Sequence, residues 1–196
     1  MSPAEHNRRP IFLVGMMGCG KSTVGRRLAA SLGRRFVDAD KELEARCGVP
    51  IATIFEVEGE AGFRRREAAL IDELTQEPGL VLATGGGAVL LEENRRRLRE
   101  RGLVVYLRAT VQDLWLRLRH DKVRPLLQTP EPRKRIAQLV EVRDPLYQEC
   151  AHLIVQTGRQ PVERVVHEIV GSLADQSASS QACDTAQAPS VRDGAA

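Results

Sequence analysis

Short apolar runs alternate along the chain with longer stretches whose apolar residues recur at helical spacing. Ile11-Phe12-Leu13-Val14 reads as a buried strand, and Val24, Leu28, Ala29 and Leu32 then share one helical face. Arg35-Phe36-Val37-Asp38 predicts a second strand. Residues 40–47 and 51–55 predict short helices, split by Gly48 and Pro50. A longer helix opens near Gly59 or Glu60, carries Phe63, Leu70, Ile71 and Leu74 on one side, and is broken by Pro78-Gly79. Residues 80–83 predict a third strand and residues 92–101 a helix closed by Gly102. Residues 103–107 are the clearest strand. Thr110 and Asp113 form a capping box ahead of a helix with Leu114, Trp115 and Leu118. Residues 136–150 predict a helix kinked or split at Pro145, residues 153–155 a fifth strand, and Pro161 the start of a last helix ending near Leu173.

Apolar strands that do not alternate with polar positions belong to a sheet covered on both faces, and strands alternating with helices belong to a parallel one. The expected fold is therefore α/β, a three-layer, doubly wound, five-stranded parallel sheet with ligands at the carboxyl ends of its strands. One domain, residues 10–173, is expected between a flexible arm at 1–9 and a disordered tail at 174–196 that is rich in Ala, Ser, Gln and Asp. The polar, proline-containing stretch at 120–133 has no core of its own and reads as a lid.

Composition narrows the function less than the motifs do. No run approaches ~18 apolar residues, so no membrane partner is expected, and the polar first ten residues leave no room for a secretory signal. Four scattered cysteines, at 19, 47, 150 and 183, argue against a disulfide framework or zinc site and for a reducing cytoplasm. Net charge is +3, which suits an anionic substrate. Arg95-Arg96-Arg97, with Arg99 and Arg101, is the best patch for RNA, but no aromatic stacking set accompanies it. A solvated helix face is the expectation, with no nucleic-acid partner.

The chemistry begins at Gly15-Met16-Met17-Gly18-Cys19-Gly20-Lys21-Ser22, which has the glycine and Gly-Lys-Ser spacing of a phosphate-binding loop. It lies between a strand and a helix, as that motif requires. Backbone N–H groups and the helix start would cradle the phosphates of a nucleotide, Lys21 would reach the β- and γ-phosphates, and Ser22 would hold Mg²⁺. Asp38 and Asp40 follow the second strand. They could divide labour between Mg²⁺ or its waters and a substrate hydroxyl, or Asp40 could cap the next helix. Three glycines after the third strand, Gly85-Gly86-Gly87, point to a site where backbone N–H groups meet a ligand. Arg64, Arg124 and Arg143 are candidates for anion contacts, and Arg124, in the lid, for charge on a moving phosphoryl group.

Together these pieces resemble the shikimate kinase family. The matching segments are Gly15 to Thr23, Phe36-Val37-Asp38-Ala39-Asp40, Ile54-Phe55 with Gly59-Glu60 and Phe63-Arg64, Thr84-Gly85-Gly86-Gly87, Arg124-Pro125-Leu126-Leu127 and Arg143-Asp144-Pro145-Leu146-Tyr147. They run in the family's order over residues 10–170. The resemblance implies a P-loop kinase of nucleoside-monophosphate-kinase-like fold that moves the ATP γ-phosphate to the 3-hydroxyl of shikimate, with one Mg²⁺, in aromatic amino-acid biosynthesis. It implies ATP contacts from Gly18, Cys19, Gly20, Lys21, Ser22, Thr23 and Arg124, and adenine held by Arg117 and Arg159-Gln160-Pro161. It implies that Asp40 binds the ring hydroxyls and acts as base or orienter, that Arg64 and Arg143 grip the carboxylate, and that Gly85, Gly86 and Gly87 line the substrate site. Lys21, Asp40 and Arg124 would be the catalytic set, with Ser22 and, through water, Asp38 on the metal. A substrate-binding segment at about 37–74, a lid at about 118–133 and a monomer complete the expectation. A gluconate or nucleotide kinase would share the loop but would not need Arg64, Arg143 and the triple glycine. A regulatory GTPase would carry an Asn-Lys-x-Asp motif that this sequence lacks, and a nucleic-acid-binding ATPase would rest on the arginine run alone.

Overall fold

The computed structural model describes residues 9–119 and 129–185, with side chains to residue 174. Five parallel strands form one sheet: β1 (Ile11–Val14), β2 (Phe36–Asp38), β3 (Val81–Ala83), β4 (Leu103–Arg108) and β5 (Leu153–Gln156), in the order β2-β3-β1-β4-β5. The first strand sits in the middle. Its residues Ile11, Phe12, Leu13 and Val14 are fully buried because helices cover both faces, as a run without polar alternation requires. The order reverses direction on either side of β1, so the crevice beyond its carboxyl end is where a ligand fits.

The helices are α1 (Lys21–Leu32), α2 (Ala39–Cys47), α3 (Ile51–Leu74), α4 (Glu92–Arg101), α5 (Val111–Leu118), α6 (Pro132–Cys150) and α7 (Val162–Thr185). Several ends are legible in local chemistry. Thr110 caps α5 by accepting from Asp113 N–H at 3.1 Å, and Gly33 closes α1 in the left-handed region, donating to Ala29 and Ala30 carbonyls. At α2 the cap is Asp38, whose carboxylate accepts from Lys41 N–H at 3.4 Å. Asp40 lies inside the first turn, so the alternative that Asp40 caps this helix does not hold.

Helix α3 is two helices joined at Gly59, where φ is 69° and ψ −179°. A side chain there is strained, so glycine is the residue that permits the break. The halves fold toward each other. Phe55 stacks on Phe63 at 4.6 Å, and Arg66 holds Glu58 across the kink with bonds from 2.6 to 3.0 Å. The first half thus extends to Glu58, beyond the predicted 51–55. In α6, Pro145 neither splits the element nor ends it. The last helix runs on to Thr185, past Leu173, where no glycine or proline interrupts residues 172–185; the segment expected to be disordered from 174 begins inside a helix.

Four arginines of the run on α4 are held in ion pairs and hydrogen bonds rather than forming the plain solvated face expected. Arg95 pairs with Glu149 at 2.9 Å, Arg97 with Asp72 at 3.0 Å and Glu93 at 2.6 Å, and Arg101 with Asp72 at 2.7 Å. Arg99 donates to the Glu149 and Ala151 carbonyls at the end of α6. These side chains tie α4 to α3 and α6, which spends their charge within the fold.

Candidate active site

The carboxyl ends of β1, β2 and β3 open into a cleft of about 1040 Å³. On one wall is the loop from Gly15 to Gly20, which leads into α1. Gly15 has φ 141°, and a side chain on it would come within 2.6 Å of the Leu107 carbonyl oxygen of β4, so the loop can leave the sheet here only without one. Lys21 Nζ donates to the Gly15 and Met16 carbonyls at 2.7 and 3.0 Å, which draws the ammonium back over the loop. Gly18, Cys19, Gly20, Lys21, Ser22 and Thr23 all face the cleft.

Asp38 and Asp40 stand beside this loop, but from the end of β2 and the first turn of α2 respectively rather than from one extended segment. Ser22 Oγ donates to Asp38 Oδ2 at 2.5 Å, so hydroxyl and carboxylate already converge. Both are hard oxygen donors of the kind Mg²⁺ takes, and they fit the ion with nucleotide oxygens and water as its other ligands. Among the described residues no cluster of three or more His, Cys, Asp or Glu forms an all-protein metal cage.

The opposite wall is the glycine run. Its residues give way to side chains as well as to any ligand. A methyl on Gly85 would lie 2.6 Å from Glu67 Oε1 and 2.8 Å from Asp40 Oδ1. One on Gly87 would lie 2.6 Å from Arg64 Nη1, and one on Gly86 3.3 Å from the Met17 nitrogen of the phosphate loop. The run therefore packs against the phosphate loop, the acidic pair and the Arg64 guanidinium at once.

Arg64 and Arg143 both reach this wall. Arg143, 5% exposed, donates from Nη1 to the Gly86 carbonyl at 3.2 Å. Arg64 donates to Glu67 at 2.6 Å and to Glu60 at 3.3 Å, with its guanidinium 5.1 Å from the Phe63 ring. Glu67 is the residue that sequence reasoning missed. It is 3% exposed, and its Oε1 has no hydrogen-bond partner. Burial pushes its carboxyl above the usual range, against the pull of Arg64, with nearby Asp40 adding to the rise. The signal was present: position 67 lies on the same helical face as Phe63, Leu70, Ile71 and Leu74, so a carboxylate there had to be buried.

Arg117 donates to the Gly18 carbonyl at 3.0 Å and to the Thr157 and Gly158 carbonyls, bridging the phosphate loop and the loop after β5. Gln160 lines the same end of the cleft, while Arg159 and Pro161 do not. Arg124, and most of the predicted lid, lies outside the described residues.

The cleft thus joins a phosphate-binding loop, an oxygen-rich corner for a divalent cation, and a recess in which two guanidinium groups meet two carboxylates. Such a recess is suited to a small acid bearing hydroxyls. The comparisons agree. The shikimate kinase family model matches residues 17–174. A shikimate kinase of Burkholderia pseudomallei strain 1710b is 58% identical over 163 residues, 83% of this chain and 89% of that protein. One of Bordetella avium strain 197N is 57% identical over 164 residues, 84% of this chain and 78% of that protein. The structure of a shikimate kinase from Acinetobacter baumannii in complex with shikimate matches with a TM-score of 0.85 and 45% identity, over 88% of this chain and 97% of that one. The chain belongs to the shikimate kinase family.

Proposed function

We propose that this protein transfers the γ-phosphate of ATP to the 3-hydroxyl of shikimate, giving shikimate 3-phosphate and ADP. The observation that carries the reading is the meeting of Arg64, Arg143, Asp40 and the glycine run in one recess beside Lys21 and Ser22. Phosphoryl transfer asks chiefly for positioning and for stabilisation of charge on the equatorial oxygens. The loop amides and Lys21 would hold the β- and γ-phosphates. Ser22 and, through water, Asp38 would hold one Mg²⁺, which supplies charge neutralisation on the phosphates when bound. Arg64 and Arg143 would grip the shikimate carboxylate with their planar forks. Asp40 would accept from the ring hydroxyls and turn the 3-hydroxyl oxygen toward the phosphate, and the backbone of Gly85, Gly86 and Gly87 would bound the ring.

At the far end, Arg117 and Gln160, which line the cleft, would hold adenine, and Arg124 would close over the phosphates from the lid. We place this work in the cytoplasm, in a monomer. Cys19, Cys47 and Cys150 are free thiols, and among the described residues no helix is long and apolar enough to cross a membrane. The test is ADP release with Mg²⁺-ATP and shikimate, quinate or gluconate as acceptor. Shikimate is expected to give the highest kcat/KM by at least about a hundredfold, since a site of paired charges rejects acids that leave its groups unpaired. Preference for gluconate would overturn the reading.

A further inference from the structure

Tyr147 is the largest fully buried side chain of the described residues, yet it lies against the cleft's most permissive backbone. Its hydroxyl donates to the Gly86 carbonyl oxygen at 2.5 Å and sits 3.7 Å from Met16 Sδ, at the root of the phosphate loop. Arg143, one helical turn earlier on α6, donates to the same Gly86 oxygen at 3.2 Å. Two donors on one carbonyl hold a peptide whose flanking residues are both glycine and would otherwise rotate freely. In a trans peptide the C=O and the next N–H point to opposite edges of one plane, so fixing the Gly86 oxygen fixes the direction of the Gly87 N–H.

The ring is itself held. Tyr147 stacks on Tyr106 at 4.9 Å, and the Tyr106 hydroxyl donates to Asp144 Oδ1 at 2.6 Å. Asp144 also takes two bonds from Arg108, at 3.0 and 2.8 Å. Tyr106 in turn pairs with Val14, the last residue before the phosphate loop. A continuous set of contacts therefore runs from the root of the nucleotide loop through β4 and α6 to the glycine run.

We infer that Tyr147 is a positioning residue, whose hydroxyl locks the Gly86–Gly87 peptide in register with the phosphate loop and so aligns the acceptor with the donor. The inference rests on the function proposed above. It predicts that Tyr147→Phe, which removes one oxygen and keeps the ring, raises the KM for shikimate about five- to tenfold with the KM for ATP within about twofold of the parent. Amide hydrogen exchange at Ala88 and Leu90, whose N–H groups donate to the Gly85 and Gly87 carbonyls on either side of this peptide, should quicken in this variant by a similar factor when followed by NMR. Tyr106→Phe keeps the ring that stacks on Tyr147 and removes a hydroxyl that does not touch the glycine run, and should leave both KM values and that exchange within about twofold of the parent.

Parental shikimate KM and parental exchange in Tyr147→Phe would overturn the inference. So would an equal rise in both KM values, or a matching effect of Tyr106→Phe, since either means general loosening of the packing. Exchange is read without substrate. A parent chain inactive toward shikimate would therefore refute the proposed function and still leave the positioning role decided.

Discussion

Arg64 Nη1 donates to Glu67 Oε2 at 2.6 Å, one turn apart on α3, and the carboxylate is far more buried than the guanidinium it braces. A buried acid of this kind is tolerated because it does a job that a surface acid could not: it sets the azimuth of a cation aimed at the cleft. Glu67→Ala should therefore raise the KM for shikimate by about tenfold or more, with Glu67→Gln milder because an amide oxygen still accepts. The KM for ATP should not move. Steady-state kinetics with each substrate varied in turn checks this, and parental shikimate KM in Glu67→Ala would contradict it.

The glycine run is expected to be intolerant for a steric reason. Gly87→Ala pushes the Arg64 guanidinium aside, and Gly85→Ala displaces Asp40 and Glu67. The obstructing atoms are ends of flexible side chains, so the fold should survive while the recess is distorted. Each variant should keep a near-parental Tm and nucleotide affinity but lose at least about tenfold in kcat/KM for shikimate. Calorimetric titration with ADP beside the kinetics separates the two effects.

Asp38 serves two ends at once, capping α2 and meeting Ser22. Asparagine caps a helix as well as aspartate does, but carries no charge for a cation. Asp38→Asn should thus hold its Tm while needing about tenfold more Mg²⁺ for half-maximal rate. A Mg²⁺ titration of initial rate measures this directly, and an unchanged midpoint would remove Asp38 from the metal corner.

His152 predicts a pH dependence unrelated to catalysis. Its Nδ1 accepts from Val104 N–H at 3.1 Å, which requires the neutral ring. Burial, with Arg9 and Arg99 nearby, lowers its pKa below the ordinary imidazole value. The unfolded chain therefore takes up the proton first. Stability is full above the ordinary value and is lost as pH falls from there through the folded one. Between about pH 7 and about pH 5 the parent should lose more in Tm than His152→Ala. Parallel melting curves would contradict it.

Most of the fold could be read from the chain, because each element is punctuated locally. Gly33, Gly48, Gly59 and Thr110 mark their breaks and caps by conformation or hydrogen bonding that the residue itself specifies. The phosphate loop was legible for the same reason. Tyr147 was not, because its role depends on what lies across the cleft rather than along the chain, and for Glu67 the helical pattern signalled burial but not the Asp40 and Gly85 beside it. The three glycines gave a position without its full cause: the space they leave is taken by Arg64, Asp40 and Glu67, from positions up to 45 residues away. The α4 arginines misled in the same way, since their carboxylate partners Asp72 and Glu149 belong to other helices.

The most direct measurement mixes the purified chain with ATP, Mg²⁺ and shikimate and follows phosphorus by ³¹P NMR. A phosphomonoester signal that grows in step with ADP, with no matching inorganic phosphate, is the predicted result. ADP formed with inorganic phosphate alone, or ATP left intact, would contradict the assignment of this cleft to phosphoryl transfer onto shikimate.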